Sequence, residues 1–221
     1  MQIANSTELV LGSNSPRRKQ LLGLGGLPFS IDVADIDESH IVGESPQQYV
    51  SRLALAKAKT VASRRTPGAA VIGSDTTVAL DGEILAKPID HNDAVRMLTA
   101  LRDRSHKVYT GVAVVIAGSD TANVQVIETD VPMRNYSDEE IIRYIATGDP
   151  MDKAGAYGIQ NKAFSPVVNM QQCYASVMGF PVCAVHAMLG QHGIQLQQGI
   201  EQRCQATLEY RCPVFTNYLS M

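Results

Sequence analysis

"VIGSDTTVALDGEILAKP", Val71 to Pro88, carries two apolar runs on either side of Asp81-Gly82. Asp-Gly between such runs is a strong two-residue hairpin signal, since the tight turn needs residues that tolerate positive φ. Pairing outward from the turn sets Leu80 opposite Glu83 and Thr76 opposite Lys87, and so makes Asp75 and Lys87 neighbours. Gly73-Ser74 reads as a turn that separates the strands Ala70 to Ile72 and Thr76 to Leu80.

Towards the N-terminus, short apolar runs at Leu9 to Leu11 and Phe29 to Val33 read as strands, with helices starting at Pro16 and Pro46, each behind a capping serine. Towards the C-terminus, strands are expected at Lys107 to Ala117 and Val124 to Asp130, and helices from Asn92, Asp138 and Pro181. Ser137 with Glu140 forms a capping box for the fourth helix, and Gly148 is its stop. Strand and helix alternate, which implies crossovers, while Gly118-Ser119 reads as an antiparallel hairpin turn. The fold class is therefore α/β with a mixed sheet.

A formal net charge of -3 excludes general binding to a nucleic-acid backbone, which needs a basic face, so any phosphate site must be local. No apolar run approaches a membrane span and no basic-then-apolar leader is visible, which gives a cytoplasmic expectation. Cys173, Cys183, Cys204 and Cys212 form no Cys-x-x-Cys pair and the histidines show no ligand spacing, so neither zinc nor structural disulfides are expected. Reduced, partly buried thiols are the default. Residues 1–194 read as one domain. From Gln195 the chain turns glutamine-rich without a clear period, and 195–221 reads as a tail of unknown role, with a dimer-capping surface and partial disorder as the open alternatives.

Several stretches place charge at element ends. Arg17 and Arg18 fall in the first turn of the helix from Pro16, where the macrodipole disfavours cations by roughly 0.3 to 1 kcal/mol each. A phosphate chain docked on the free backbone N–H groups reverses that sign; otherwise both arginines point into water. "ADIDES" puts Asp35, Asp37 and Glu38 after a strand, as ligands for Mg²⁺ or Mn²⁺ or as a solvated acidic loop. Lys57 lies on the apolar stripe of Val50, Leu53, Ala54 and Val61, so it either snorkels to water or serves a buried anion, whereas Arg52, Lys59, Arg64 and Arg65 read as surface charges. Asp75 beside a lysine suits a water-activating or metal-binding carboxylate, or a cross-strand ion pair of small energy. "GDPMDKAGAYGIQ" spaces Gly148, Gly155 and Gly158 through a polar loop to which Lys153 adds charge. No P-loop or dinucleotide fingerprint is present. Taken together, these stretches suggest one cleft holding a metal polyphosphate.

"GSNSPRRKQLL", "DIDES", "RLALAKAK", "VIGSDTTVALDGEILAKP", "HKVYTGVAV" and "GDPMDKAGAYGIQ" occur in one order, and their combination resembles the Maf-like nucleoside triphosphate pyrophosphatases over residues 8–193. That resemblance implies a Maf/inosine-triphosphatase-like two-lobed fold with a twisted mixed sheet and a central cleft. It also implies hydrolysis of a nucleoside triphosphate to the monophosphate and pyrophosphate with a divalent cation. Ser13, Arg18, Glu38, Lys57, Asp75 and Lys87 match the family's functional positions, with Asp75 at the proton acceptor. Arg17, Thr76 and Gln160 match positions tied to base choice, and their identities look like the branch acting on dTTP and UTP. On this reading Glu38 and Asp75 hold the metal, and Arg18, Lys57 and Lys87 neutralise the triphosphate. Asn161, where a glycine commonly follows Gln160, and Phe180, in place of a common leucine, depart from the pattern. A pyrophosphatase for 7-methyl-GTP or another modified nucleotide, and a non-catalytic nucleotide-binding regulator of cell division, are the alternatives.

Overall fold

A computed structural model of the chain describes residues 7–219; the first six positions of the domain range and the last two of the tail range lie outside it. The elements are β1 (Leu9–Leu11), α1 (Pro16–Gly23), β2 (Ser30–Ile31), α2 (Pro46–Ala62), β3 (Ala70–Leu80), β4 (Glu83–Leu85) and α3 (His91–Leu101). There follow β5 (Ser105–Ile116), β6 (Ala122–Pro132), α4 (Asp138–Ile145), α5 (Tyr174–Val177), α6 (Val182–Gly190), α7 (Ile200–Leu208) and α8 (Thr216–Leu219), with two 3-10 turns at Asp149–Asp152 and Ala154–Ala156. The sheet is mixed, in the order β2-β1-β3-β5-β6 with β4 on β3. β1 runs parallel to β2 and β3, while the β3–β4, β3–β5 and β5–β6 pairs are antiparallel. No helix among the described residues is long and apolar enough to cross a membrane.

Helix α2 covers one face, with Ala54, Ala58 and Val61 packed on Val10, Val71 and Ala113. The other face carries the larger core, to which α1, α3, α4 and α6 contribute Leu21, Leu98, Ile141 and Met188. The entries to α2 and α4 are fixed by capping boxes, Ser45 with Gln48 and Ser137 with Glu140.

The Asp81-Gly82 turn forms as expected, and Leu80 pairs with Glu83. Two expectations built on that stretch are corrected. The ladder ends at Val78–Leu85, because Lys87 already belongs to the exposed connection into α3, and Thr76 instead pairs with Thr110 of β5. Gly73-Ser74 is no turn: β3 runs unbroken through it. Glycine is needed there for closeness, since a Cβ on Gly73 would stand 2.2 Å from the Ala54 carbonyl oxygen and 2.8 Å from the Ala58 nitrogen. Gly111 of β5, opposite Asp75, plays the same part towards the Val50 carbonyl. β2 is also shorter than the strand read at Phe29 to Val33.

The tail continues the body. Leu196, Ile200 and Cys204 join the main core, and Arg203 Nε donates to the Leu24 carbonyl at 2.8 Å.

His106 on β5 is buried against the Tyr157 hydroxyl, at 2.8 Å from Nε2. Burial holds its pKa down at about 4, with Asp130 only partly opposing. The folded state therefore resists protonation that the unfolded state accepts at 6.5, so stability is full above that pH and falls between 6.5 and 4. The loss should reach about 3 kcal/mol. Urea unfolding of His106→Gln is expected to show a flatter slope across that interval; an unchanged slope would mean that other groups govern it.

Candidate active site

The ten positions singled out in the sequence, Ser13, Arg17, Arg18, Glu38, Lys57, Asp75, Thr76, Lys87, Lys153 and Gln160, all line one cleft of about 580 Å³. Its floor is β3. Helix α2 and the loop before it form one wall, and Ala86 and Lys87 after β4, the 3-10 turns and residues 157–160 form the other.

Lys57 is the centre of charge. Its Nζ lies 2.6 Å from Asp75 Oδ1 and 2.7 Å from Glu38 Oε1, so two carboxylates from different elements meet on one ammonium. Asp75 is thus paired with Lys57, not with Lys87 as the extended hairpin implied. The reason is geometric: α2 lies directly over Gly73, and Lys57 reaches β3 from above. Asp75 is only 7% exposed, and burial pushes its carboxyl pKa up; Lys57 and Arg18 oppose the shift without cancelling it. Of the acidic trio only Glu38 faces the cleft. The Asp37 carboxylate instead accepts from the Ser39 amide at 2.8 Å.

Residues read as surface charges hold the Glu38 loop in place. Arg52 donates to both Glu44 oxygens, at 2.7 and 2.8 Å, and to the Ser39 carbonyl, while Arg64 and Arg65 clamp Asp32. Each lies on α2 or just after it, where the helix passes the loop. Tyr49, which sequence reasoning did not single out, donates from its hydroxyl to the Glu38 carbonyl at 3.0 Å and lines the cleft.

Arg17 and Arg18 part company. Arg18 turns inward: Nε donates to the Gly179 carbonyl at 3.0 Å, and Nη1 to the Ser74 carbonyl at 2.8 Å and to Ser13 Oγ at 3.2 Å. Nη2 reaches Thr76 Oγ1 at 3.4 Å. Thr110 gives its hydroxyl proton to the Ser176 carbonyl, so Thr76, at 3.0 Å, must donate to Thr110. Burial lowers the Arg18 pKa, yet the residue stays charged. Gly179 has φ +95°, and a Cβ there would press on Thr76 and Arg18.

Arg17 and Lys87, by contrast, line the cleft with no hydrogen bond or ion pair among the described residues. Lys153 differs from the sequence expectation. Its ammonium is matched by Asp152 at 2.6 Å and Asp149 at 3.0 Å, so it adds no net charge to the wall. Gln160 is half-buried beside Asn161, whose amide side chain donates to Asp149 and accepts from the Phe164 amide. Asn161 does not have positive φ, so no glycine is needed at that position.

A family model described as "Maf-like protein" matches residues 8–192. The chain belongs to the Maf-like family. A dTTP/UTP pyrophosphatase of Dictyoglomus turgidum is 44% identical to this Maf-like chain over 190 residues, 86% of this chain and 98% of that one. Those of Symbiobacterium thermophilum and Myxococcus xanthus are each 45% identical, over 87% of this chain and 97% and 96% of theirs. Among solved structures, a nucleoside-triphosphatase / dITP/XTP pyrophosphatase from Mycobacterium abscessus overlaps 57% of this chain and 74% of its own at 18% identity, with a TM-score of 0.40 that is too low to inform the site. The family match ends at residue 192, so α7 and α8 of this Maf-like chain lie beyond it.

Proposed function

We propose that the chain hydrolyses dTTP and UTP to the nucleoside monophosphate and pyrophosphate in this cleft. The observation that carries the reading is the pairing of Glu38 and Asp75 around one ammonium, beside two cations, Arg17 and Lys87, that have no protein partner among the described residues. A binding pocket for a polyanion needs the cations; it has no need of the carboxylates unless a proton or a metal is to be handled.

Glu38 and Asp75 fit a divalent cation. Two carboxylates that gather on one positive charge suit Mg²⁺ or Mn²⁺ together with phosphate oxygens. No group of three His, Cys, Asp or Glu side chains is gathered for a metal among the described residues, so the remaining ligands would be phosphate and water. Such an ion would neutralise the negative charge of the triphosphate when bound. Arg17 and Lys87 hold the phosphate chain, and Lys57 can turn from its carboxylates to phosphate oxygens. Asp75, its pKa raised by burial, accepts the proton of the water that attacks phosphorus and releases pyrophosphate. Thr76 and Gln160 would meet the base, and Arg18 keeps Ser13, Ser74 and Gly179 in register.

Pyrophosphate release from dTTP, UTP, CTP, GTP and 7-methyl-GTP, with Mg²⁺, Mn²⁺ or chelator, tests this. Metal-dependent release led by dTTP and UTP is the expected result. Release led by 7-methyl-GTP would move the substrate, and nucleotide binding without any release would make the protein a binder. Lys87→Ala is expected to raise KM and lower kcat together, because the side chain meets phosphate charge in both ground and transition states; unchanged kinetics would put Lys87 outside the site.

A further inference from the structure

The four cysteines share no sequence motif, yet all of them line one small cavity between the tail and the α5–α6 segment. Cys173 caps α5, Cys183 lies on α6, Cys204 on α7, and Cys212 between α7 and α8. Cys173, Cys183 and Cys204 are buried and Cys212 is half-exposed. The Tyr174 and Tyr210 rings lie 5.3 Å apart, which brings the chain at Cys173 beside the chain at Cys212. Tyr210 pins the tail at this point, its hydroxyl lying 2.8 Å from the Gln172 carbonyl and 3.1 Å from that of Met170. No group of three His, Cys, Asp or Glu side chains is gathered for a metal among the described residues.

We propose that Cys212 and Cys173 form a peroxide-responsive thiol pair that closes to a disulfide and ties the tail to the body of the protein. Cys212 is the attacking sulfur because it is the most exposed of the four. The neighbouring Cys173 thiol, and to a smaller degree the backbone amides of Val214 and Phe215, hold its pKa below the usual thiol range. Burial drives Cys183 and Cys204 the other way, to about 12 and about 11.

In the first step the Cys212 thiolate attacks one oxygen of a hydroperoxide. An S–O bond forms, the O–O bond breaks, and the departing oxygen leaves as water or an alcohol with the thiol's proton. In the second step the Cys173 sulfur attacks the sulfenic sulfur. The S–S bond forms, the S–O bond breaks, and hydroxide leaves as water with the Cys173 proton. The two sulfurs lose two electrons in all, and the peroxide gains them. Cys204 and Cys212 both lie past residue 192, where the family match ends, so the pair joins a family position to a segment outside it.

The test uses the reduced full chain and one equivalent of hydrogen peroxide, followed by alkylation and peptide mass mapping without reductant. One cross-linked species is expected, joining the peptides of Cys173 and Cys212 at a mass two hydrogens below their sum, with Cys183 and Cys204 alkylated. Cys173→Ser should accumulate a dimedone-trapped sulfenic acid on Cys212, and Cys212→Ser should leave Cys173 unmodified. A Cys183–Cys204 cross-link, equal labelling of all four thiols, or an unreacted Cys212 in the folded protein would overturn the proposal. The wild-type map decides even if a variant fails to fold, and it does not depend on nucleotide turnover.

Discussion

Replacing Asp75 by Asn is expected to lower kcat by about 10² to 10⁴-fold, the range for loss of a positioned general base. Nucleotide affinity should stay within a few-fold. Asparagine keeps the volume and the hydrogen-bonding oxygen at the end of the side chain but cannot accept the proton. Lys57 retains Glu38 at 2.7 Å, and the unpaired Arg17 and Lys87 are untouched. Pyrophosphate release gives kcat, and calorimetry with a non-hydrolysable dTTP analogue gives affinity. If affinity falls in step with turnover, Asp75 is a binding group; if turnover persists, the base lies elsewhere.

The largest effect on stability is expected from Gly73→Ala. The added methyl would meet the backbone of α2 at Ala54 and Ala58, not a side chain that can swing away. Overpacking of a closed core costs typically 1 to 3 kcal/mol, and a backbone contact of this kind falls at the upper end, about 3 kcal/mol. The helix can relieve the contact only by lifting off the sheet. That would draw Lys57 away from Asp75, so activity should fall as well. Gly111→Ala, whose methyl would meet the Val50 carbonyl, serves as a second probe of the same contact. Urea unfolding measures both. A change within about 0.5 kcal/mol, as for an ordinary surface substitution, would show that α2 does not rest on β3 at these glycines.

Local signals in the sequence are met where short-range chemistry settles the conformation. The Asp81-Gly82 turn fixes Leu80 opposite Glu83, and Ser137 with Glu140 fixes the start of α4, because each signal acts within a few residues. Gly73 shows where such reading stops. A glycine within an apolar run serves equally for a turn or for close approach of another backbone, and only the position of α2 distinguishes them. The hairpin register likewise could not reveal that Asp75 would face Lys57, since that contact depends on the placement of a helix on the sheet.

The paired arginines make the same division. By itself the sequence determined that two guanidinium groups stand in the first turn of α1, after Ser15-Pro16, with no acidic residue to match them. Tertiary structure decided their fates. Successive side chains on a helix diverge by about 100°, so neighbours in the chain cannot share a direction. Arg18 therefore meets the carbonyls of Ser74 and Gly179, which only the packed fold brings within reach. Arg17, one position earlier, is left facing the cleft with no protein acceptor among the described residues.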